Sequence, residues 1–130
     1  MMIDDAFFTV WRPRILSLLR IMAGLLFLEH GLAKLTGFPV PGPAEMSSLL
    51  VVAGIIEAVG GLLLTIGLFT RVAAFVSSGE MAVAYFMVHA PQGFFPIGNR
   101  GDGAILYCFI FLYLALAGGG PWSVDGYRKA

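Results

Sequence analysis

Ser48 to Phe69 reads SLLVVAGIIEAVGGLLLTIGLF, 22 residues with one charge, Glu57, and no polar face. A helix crosses a ~30 Å hydrocarbon layer in about 20 residues at 1.5 Å each, whereas a soluble core helix alternates apolar and polar sides. The stretch is therefore read as a transmembrane helix. Working outward, Ile15–Leu35 is apolar apart from Arg20, Glu29, His30 and Lys34, and Val72–His89 carries Glu80 and ends on the histidine. Ala104–Gly118 is uncharged and short, and is expected to run on toward Trp122, whose ring suits the interface. The expected fold is all-α: one domain over 1–130, an antiparallel bundle of four transmembrane helices at about 15–35, 48–69, 72–89 and 104–120.

Composition agrees. The 130-residue chain is 58% hydrophobic and 12% charged, with a mean hydropathy of +0.88. A soluble protein of this size has too much surface to hide so much apolar side chain, so lipid is the expected surrounding and partner. Net charge zero excludes a polybasic nucleic-acid binder. The single cysteine, Cys108, excludes an internal disulfide or a CxxC pair and is expected to be an inert core thiol.

The breaks support the count. Gly37-Phe38-Pro39-Val40-Pro41-Gly42-Pro43 ends the first helix, because its prolines lack backbone donors and restrict the residues before them. Gly67–Arg71 is a short turn with Thr70 as an N-cap, which makes helices two and three a hairpin. Ala90–Gly103 is the longest loop, and its Phe94 and Phe95 are expected on the bundle or in the headgroup layer.

Arg12, Arg14, Arg71, Arg128 and Lys129 fall on one side, and Arg20 can snorkel there, leaving Lys34 and Arg100 on the other. Both termini are thus expected in the cytoplasm and the chain in a bacterial-type inner membrane. Glu29-His30-Gly31 is no small-residue cleavage site, so the first apolar segment is expected to stay as a helix rather than leave as a signal peptide. Gly24 and Gly31, like Gly60 and Gly67, are seven apart on one helix face. Small residues let membrane helices approach closely, and the Gly24/Gly31 face suggests a homodimer.

The polar residues inside this apolar chain are the candidates for function. An ionised side chain at mid-bilayer costs at least ~2.5–3.5 kcal/mol, so Glu57 and Glu80 must be protonated or paired. Glu29, His30, Lys34, His89, Asn99, Arg100 and Asp102 gather at the outer end of the bundle. His30, Lys34, Glu57 and His89 are candidate catalytic groups. His30, Lys34, His89, Asn99 and Asp102 are candidate ligand-binding groups, and Arg20, Glu29, Glu57 and Glu80 a candidate buried polar network. A quinone headgroup accepts hydrogen bonds at two carbonyls and takes up protons on reduction, which His30 or His89 with Lys34 beside apolar walls would serve. Axial haem ligation by His30 and His89 is conceivable, but no HxxxH, HExxH or ExxH spacing points to a metal. A network that fixes helix register and a proton path through Glu57 are the other readings.

Arg20 with Gly24, His30-Gly31 and Lys34-Leu35; Glu57 with Gly60-Gly61; Gly67-Leu68, Thr70-Arg71 and Ala73-Ala74; Met81, Ala84 and His89; and the tail Gly118–Asp125 with Ser123 follow one another in an order that resembles the DoxX family of small four-helix membrane proteins. The resemblance covers the chain from about Arg14 to Asp125. Asp102 stands where the family pattern has a glutamate. The resemblance implies kinship with membrane subunits of thiosulfate:quinone oxidoreductase and with complexes that handle oxidative stress. It therefore points to a quinone-linked or accessory subunit acting with a partner oxidoreductase subunit. A non-catalytic scaffold and a small transporter are the alternatives. Electrons would need a bound quinone, a haem or that partner, because the chain alone carries no redox motif.

Overall fold

The computed structural model describes residues 4–129. Among these the secondary structure is entirely helical: α1 Asp5–Thr36, α2 Ser48–Ile66, α3 Thr70–Ala84, α4 Pro96–Asn99, α5 Asp102–Ala117 and α6 Val124–Lys129. A π-helical turn, Tyr85–His89, and a 3₁₀ turn, Ala90–Gln92, extend α3. Asp5–Thr36, Ser48–Ile66 and Thr70–Gln92 are long and apolar enough to cross a membrane, and α5 is a shorter apolar helix of 16 residues. The architecture is that of a helical membrane bundle.

Several boundaries differ from the sequence reading. Helix α1 starts ten residues earlier than Ile15, because Asp4 caps it by accepting the Phe7 N–H at 3.1 Å and Pro13 is accommodated inside. Its first turns project past the bundle, with Phe7, Phe8 and Trp11 exposed, Arg12 over Phe8 and Arg14 over Trp11. Helix α2 stops at Ile66 rather than Phe69, since Gly67 adopts φ +73° and its N–H returns to Leu63. The fourth long helix ends at Ala117 and does not reach Trp122: Gly118 and Gly120 take positive φ and turn the chain back under the bundle. Phe94, Phe95 and Ile97 of the long loop point outward.

The bundle is two close helix pairs, α1 with α2 and α3 with α5. In the first pair the backbones nearly touch. A Cβ on Gly31 would lie 2.3 Å from the Ala58 nitrogen, and one on Gly61 2.5 Å from that of Leu28, so neither position has room for a side chain. Gly24 is buried against Thr65 in the same way. The glycine face expected to pair protomers is therefore spent inside the chain. The pairs meet through Phe27, which packs on Phe111 at 4.8 Å and Tyr107 at 5.5 Å between ring centroids. Ala23, Leu64, Ala74 and Leu114 complete the core.

At the end holding both chain termini the connections are polar. Arg20, 1% exposed, does not snorkel to solvent. It donates to the carbonyls of Leu64 (2.8 Å), Thr65 (3.5 Å), Trp122 (2.7 Å) and Gly119. Ser17 donates to Gly119 O and accepts the Trp122 N–H. Thr70 is not the N-cap of α3; Phe69 occupies that position, and the free N–H groups of Phe69 and Thr70 are taken by Asp125 at 3.0 and 2.8 Å. Arg71 donates to Ala115 and Leu116 at the end of α5. The folded-back tail thus stitches the helix ends together.

Candidate functional site

At the other end the helices enclose a cavity of about 580 Å³, within the range of small-molecule sites. Its walls are mostly aliphatic, and its polar side chains come from every long helix: His30 and Lys34 of α1, Glu57 of α2, Glu80 and His89 from α3 and its π turn, and Tyr107 of α5. Each reaches the space because helical spacing puts His30 and Lys34 on one face and Glu80 beside Glu57 at similar depth.

The centre of the site is an ion pair. Lys34 Nζ lies 2.5 Å from Glu57 Oε1, and the Glu57 side chain is 2% exposed. Glu80 sits within interaction range of both Glu57 and Lys34. Both of its carboxyl oxygens are buried without a hydrogen-bond partner. Lys34 is committed to Glu57, which leaves the Glu80 carboxyl without a partner of its own. A proton between the carboxyls, or a donor brought by a ligand, supplies what the pair lacks.

His30 is exposed toward the cavity edge and lies edge-on to Tyr107, centroids 5.9 Å apart. His89 is held by its other side. Its Nδ1 is 3.0 Å from the Asn99 carbonyl, which can only accept, so Nδ1 donates and Nε2 of the neutral ring is left as an acceptor. The ring stacks on Tyr85 within the π turn, a distortion frequent at functional sites. The Asn99 side chain donates to Tyr85 Oη and Gly93 O and accepts the Gly101 N–H.

These contacts sort the candidates. His30, Lys34, Glu57, Glu80 and His89 are brought together. Asn99 is fully buried and spends its amide inside the loop, so it supports His89 and does not line the cavity. Asp102 is exposed in the first turn of α5, where a carboxylate suits the helix N-terminus, and lies outside the cavity. Glu29 is exposed and does not line the cavity, and Arg20 belongs to the opposite end, so the four-membered polar network divides: Glu57 and Glu80 stay together, without the other two. Arg100, expected in the outer cluster but not among the catalytic or ligand-binding groups, and Tyr107, absent from the sequence candidates, both line the cavity. Tyr107 shares a helix face with Phe111, and only its approach to Phe27 and His30 distinguishes it from packing. Among the described residues no three of His, Cys, Asp and Glu converge on a common point.

The comparisons agree with this architecture. The DoxX family model matches residues 15–90, which hold α2, α3, most of α1 and all the cavity's polar groups except Arg100 and Tyr107. An uncharacterized protein of Haemophilus influenzae is 47% identical over 122 residues, covering 88% of this chain and 91% of its own. The uncharacterized membrane protein Rv3486 of Mycobacterium tuberculosis is 30% identical over 82% of this chain and 77% of its own. The inner membrane protein YqjF of Escherichia coli is 27% identical over 82% of this chain and 85% of its own. No solved structure matches significantly. With its helical membrane bundle and these relatives, the chain belongs to the DoxX family.

Proposed function

We propose that this protein is a quinone-linked accessory subunit of an inner-membrane oxidoreductase system, and that the cavity at Lys34, Glu57 and Glu80 takes the quinone headgroup. The observation that carries this reading is the meeting of an amine, a guanidinium, two carboxyls, two imidazoles and a phenol in a mostly aliphatic space of about 580 Å³. The donor set fits. Lys34 keeps N–H donors beyond the one facing Glu57, and Tyr107 and His30 add others for two carbonyl oxygens. Glu80 offers acceptors for the hydroxyls of the reduced form. A quinone held here would supply two-electron, two-proton chemistry, with its electrons exchanged with a partner subunit because this chain carries no redox motif of its own. The chain's own residues bind and orient the head, and the Glu57–Glu80 pair holds or releases a proton beside it. On this reading both termini lie in the cytoplasm and the cavity opens toward the outer face, which the excess of arginine and lysine at the Arg20 end supports.

The test is direct. Protein purified in mild detergent is extracted for quinone, and a short-chain benzoquinone is titrated against its intrinsic fluorescence. Co-extraction near one quinone per chain and quenching that weakens at least tenfold in Lys34→Met are expected. No co-extraction, with quenching the same in Lys34→Met and His30→Ala, overturns the reading. Lys34→Met/Glu57→Gln, which leaves no unpaired charge at this pair, serves if the single variant fails to fold.

A further inference from the structure

The headgroup cavity is open on one flank. Its walls along α2 and α3 include Leu49, Val52, Val76 and Val83, all about half exposed on the lipid side. A second cavity of about 440 Å³ continues the same seam toward the Arg20 end, between Val59 and Leu63 of α2 and Val72 and Ala73 of α3. The two share Ile56 and Val76, so they form one groove. From Ile56 to Leu63 the groove follows seven residues of helix, roughly 10 Å. Ser77 is its one polar side chain.

Gly79 stands in this groove, next to Glu80 in sequence and lining the cavity. A glycine inside a helix costs about 1 kcal/mol relative to alanine. At Gly31 and Gly61 a neighbouring backbone demands it, but a Cβ on Gly79 would meet nothing within 4 Å. Packing does not account for this glycine. Its missing side chain leaves open space on the cavity wall next to the unpartnered Glu80.

We infer that the ligand is a long-tailed amphiphile that enters from the bilayer between α2 and α3, past Gly79, and leaves its hydrocarbon tail in the groove below Ile56 and Val76. The identity of the head as a quinone rests on the function proposed above; the path and the tail position rest on the groove. A tail that leaves lipid for an apolar groove gains little hydrophobic free energy. The groove therefore admits and aligns the head more than it adds affinity, and position is the quantity to measure.

The probe is a benzoquinone whose long alkyl tail ends in a diazirine, photolysed with the full-length protein in nanodiscs and mapped by peptide mass spectrometry. Label is expected on Val59, Leu63 or Val72, displaced by excess short-chain benzoquinone, and well above that on Phe109 and Leu116 of the lipid-facing side of α5. Gly79→Leu, at a position with room for a side chain, is expected to lower groove labelling at least fivefold. Val76→Trp should shift the label away from Val59 and Leu63, and Leu116→Trp should change nothing. Label that is displaced by the short-chain quinone but falls equally on α5 and the groove overturns the tail placement while leaving the headgroup reading intact. Groove-specific label that no quinone displaces supports the groove and overturns the quinone head. A Gly79→Leu protein that labels like wild type overturns the entry path.

Discussion

The two ends of the bundle each bury a charged residue, and they treat it in opposite ways. Arg20 has no carboxylate in contact, yet its guanidinium meets four backbone carbonyls from the end of α2 and the folded-back tail. Two of those carbonyls, Leu64 and Thr65, are ones that a helix end leaves without partners, and the other two lie in the turn after α5, so one side chain solves a desolvation problem for itself and for them. Glu80 has partners available in name, Lys34 and Glu57, but Lys34 is committed to Glu57 and both Glu80 oxygens remain unpaired. A fully bonded buried charge is a structural device. One left short beside a cavity is where a proton or ligand completes the site.

The largest effect should therefore come from Arg20. Arg20→Ala orphans carbonyls at about 1–3 kcal/mol each, enough to prevent folding of a marginal bundle. The expected outcome is loss of the monodisperse peak on size exclusion, or a melting temperature lowered by more than about 10 °C. Arg20→Lys should recover only part, because one ammonium cannot span acceptors arranged around a planar fork. A stable Arg20→Ala protein would erase the contrast between the two ends.

Lys34→Met comes next. Breaking a buried pair from one side strands the other charge and typically costs about 3–5 kcal/mol. Glu57→Gln removes that stranded charge, so Lys34→Met/Glu57→Gln should regain most of the loss in thermal melts. If the losses simply add, the 2.5 Å contact contributes little to the fold.

Glu80→Gln separates stability from function at the incomplete end. An amide keeps the shape and offers donors toward Glu57, so the melting temperature should hold or rise by a few degrees. Binding of a reduced, hydroxyl-bearing head should weaken at least fivefold in the same protein. A destabilised Glu80→Gln would mean that this carboxyl is already satisfied in the folded protein.

Much of this was visible in the sequence. The membrane class, the helix count and the shared depth of Glu57 and Glu80 follow from charge placed in apolar stretches, where the energetic cost forces a partner. For Arg20 the sequence leaves both snorkelling and a buried network open, because its depth is readable from its position in the helix but its acceptors are not. Two of the four, Gly119 and Trp122, are brought there by positive-φ turns at Gly118 and Gly120, and the other two, Leu64 and Thr65, lie at the far end of α2. Asn99 and Asp102 are near His89 in the chain, and proximity suggested a shared role. A four-residue helix and Arg100 at φ +63° turn Asn99 inward to its own loop and leave Asp102 outside. Tyr107 carried no signal beyond its aromatic spacing, which packing explains equally well.

The smallest effect tests the stitched end at its exposed edge. Partial burial opposes ionisation of Asp125, but the N–H groups of Thr70 and Phe69 and the nearby Arg128 outweigh it and hold the carboxyl below its ordinary pKa. A carboxyl lowered on folding contributes stability above its unfolded pKa and loses it as pH falls through the folded one. Wild type should thus lose melting temperature below about pH 4 by a small extra amount that Asp125→Asn does not show. At neutral pH the variant should cost about 0.5–1 kcal/mol, the low end for a helix cap, because the carboxylate is largely solvated. The Arg20 contacts do not titrate in this range, so the pH-dependent part isolates the α3 cap from the rest of the tail. Identical acid profiles for wild type and Asp125→Asn would show that the Asp125 carboxylate adds nothing to the hold that Arg20, Ser17 and the backbone bond to Gly67 exert on the tail.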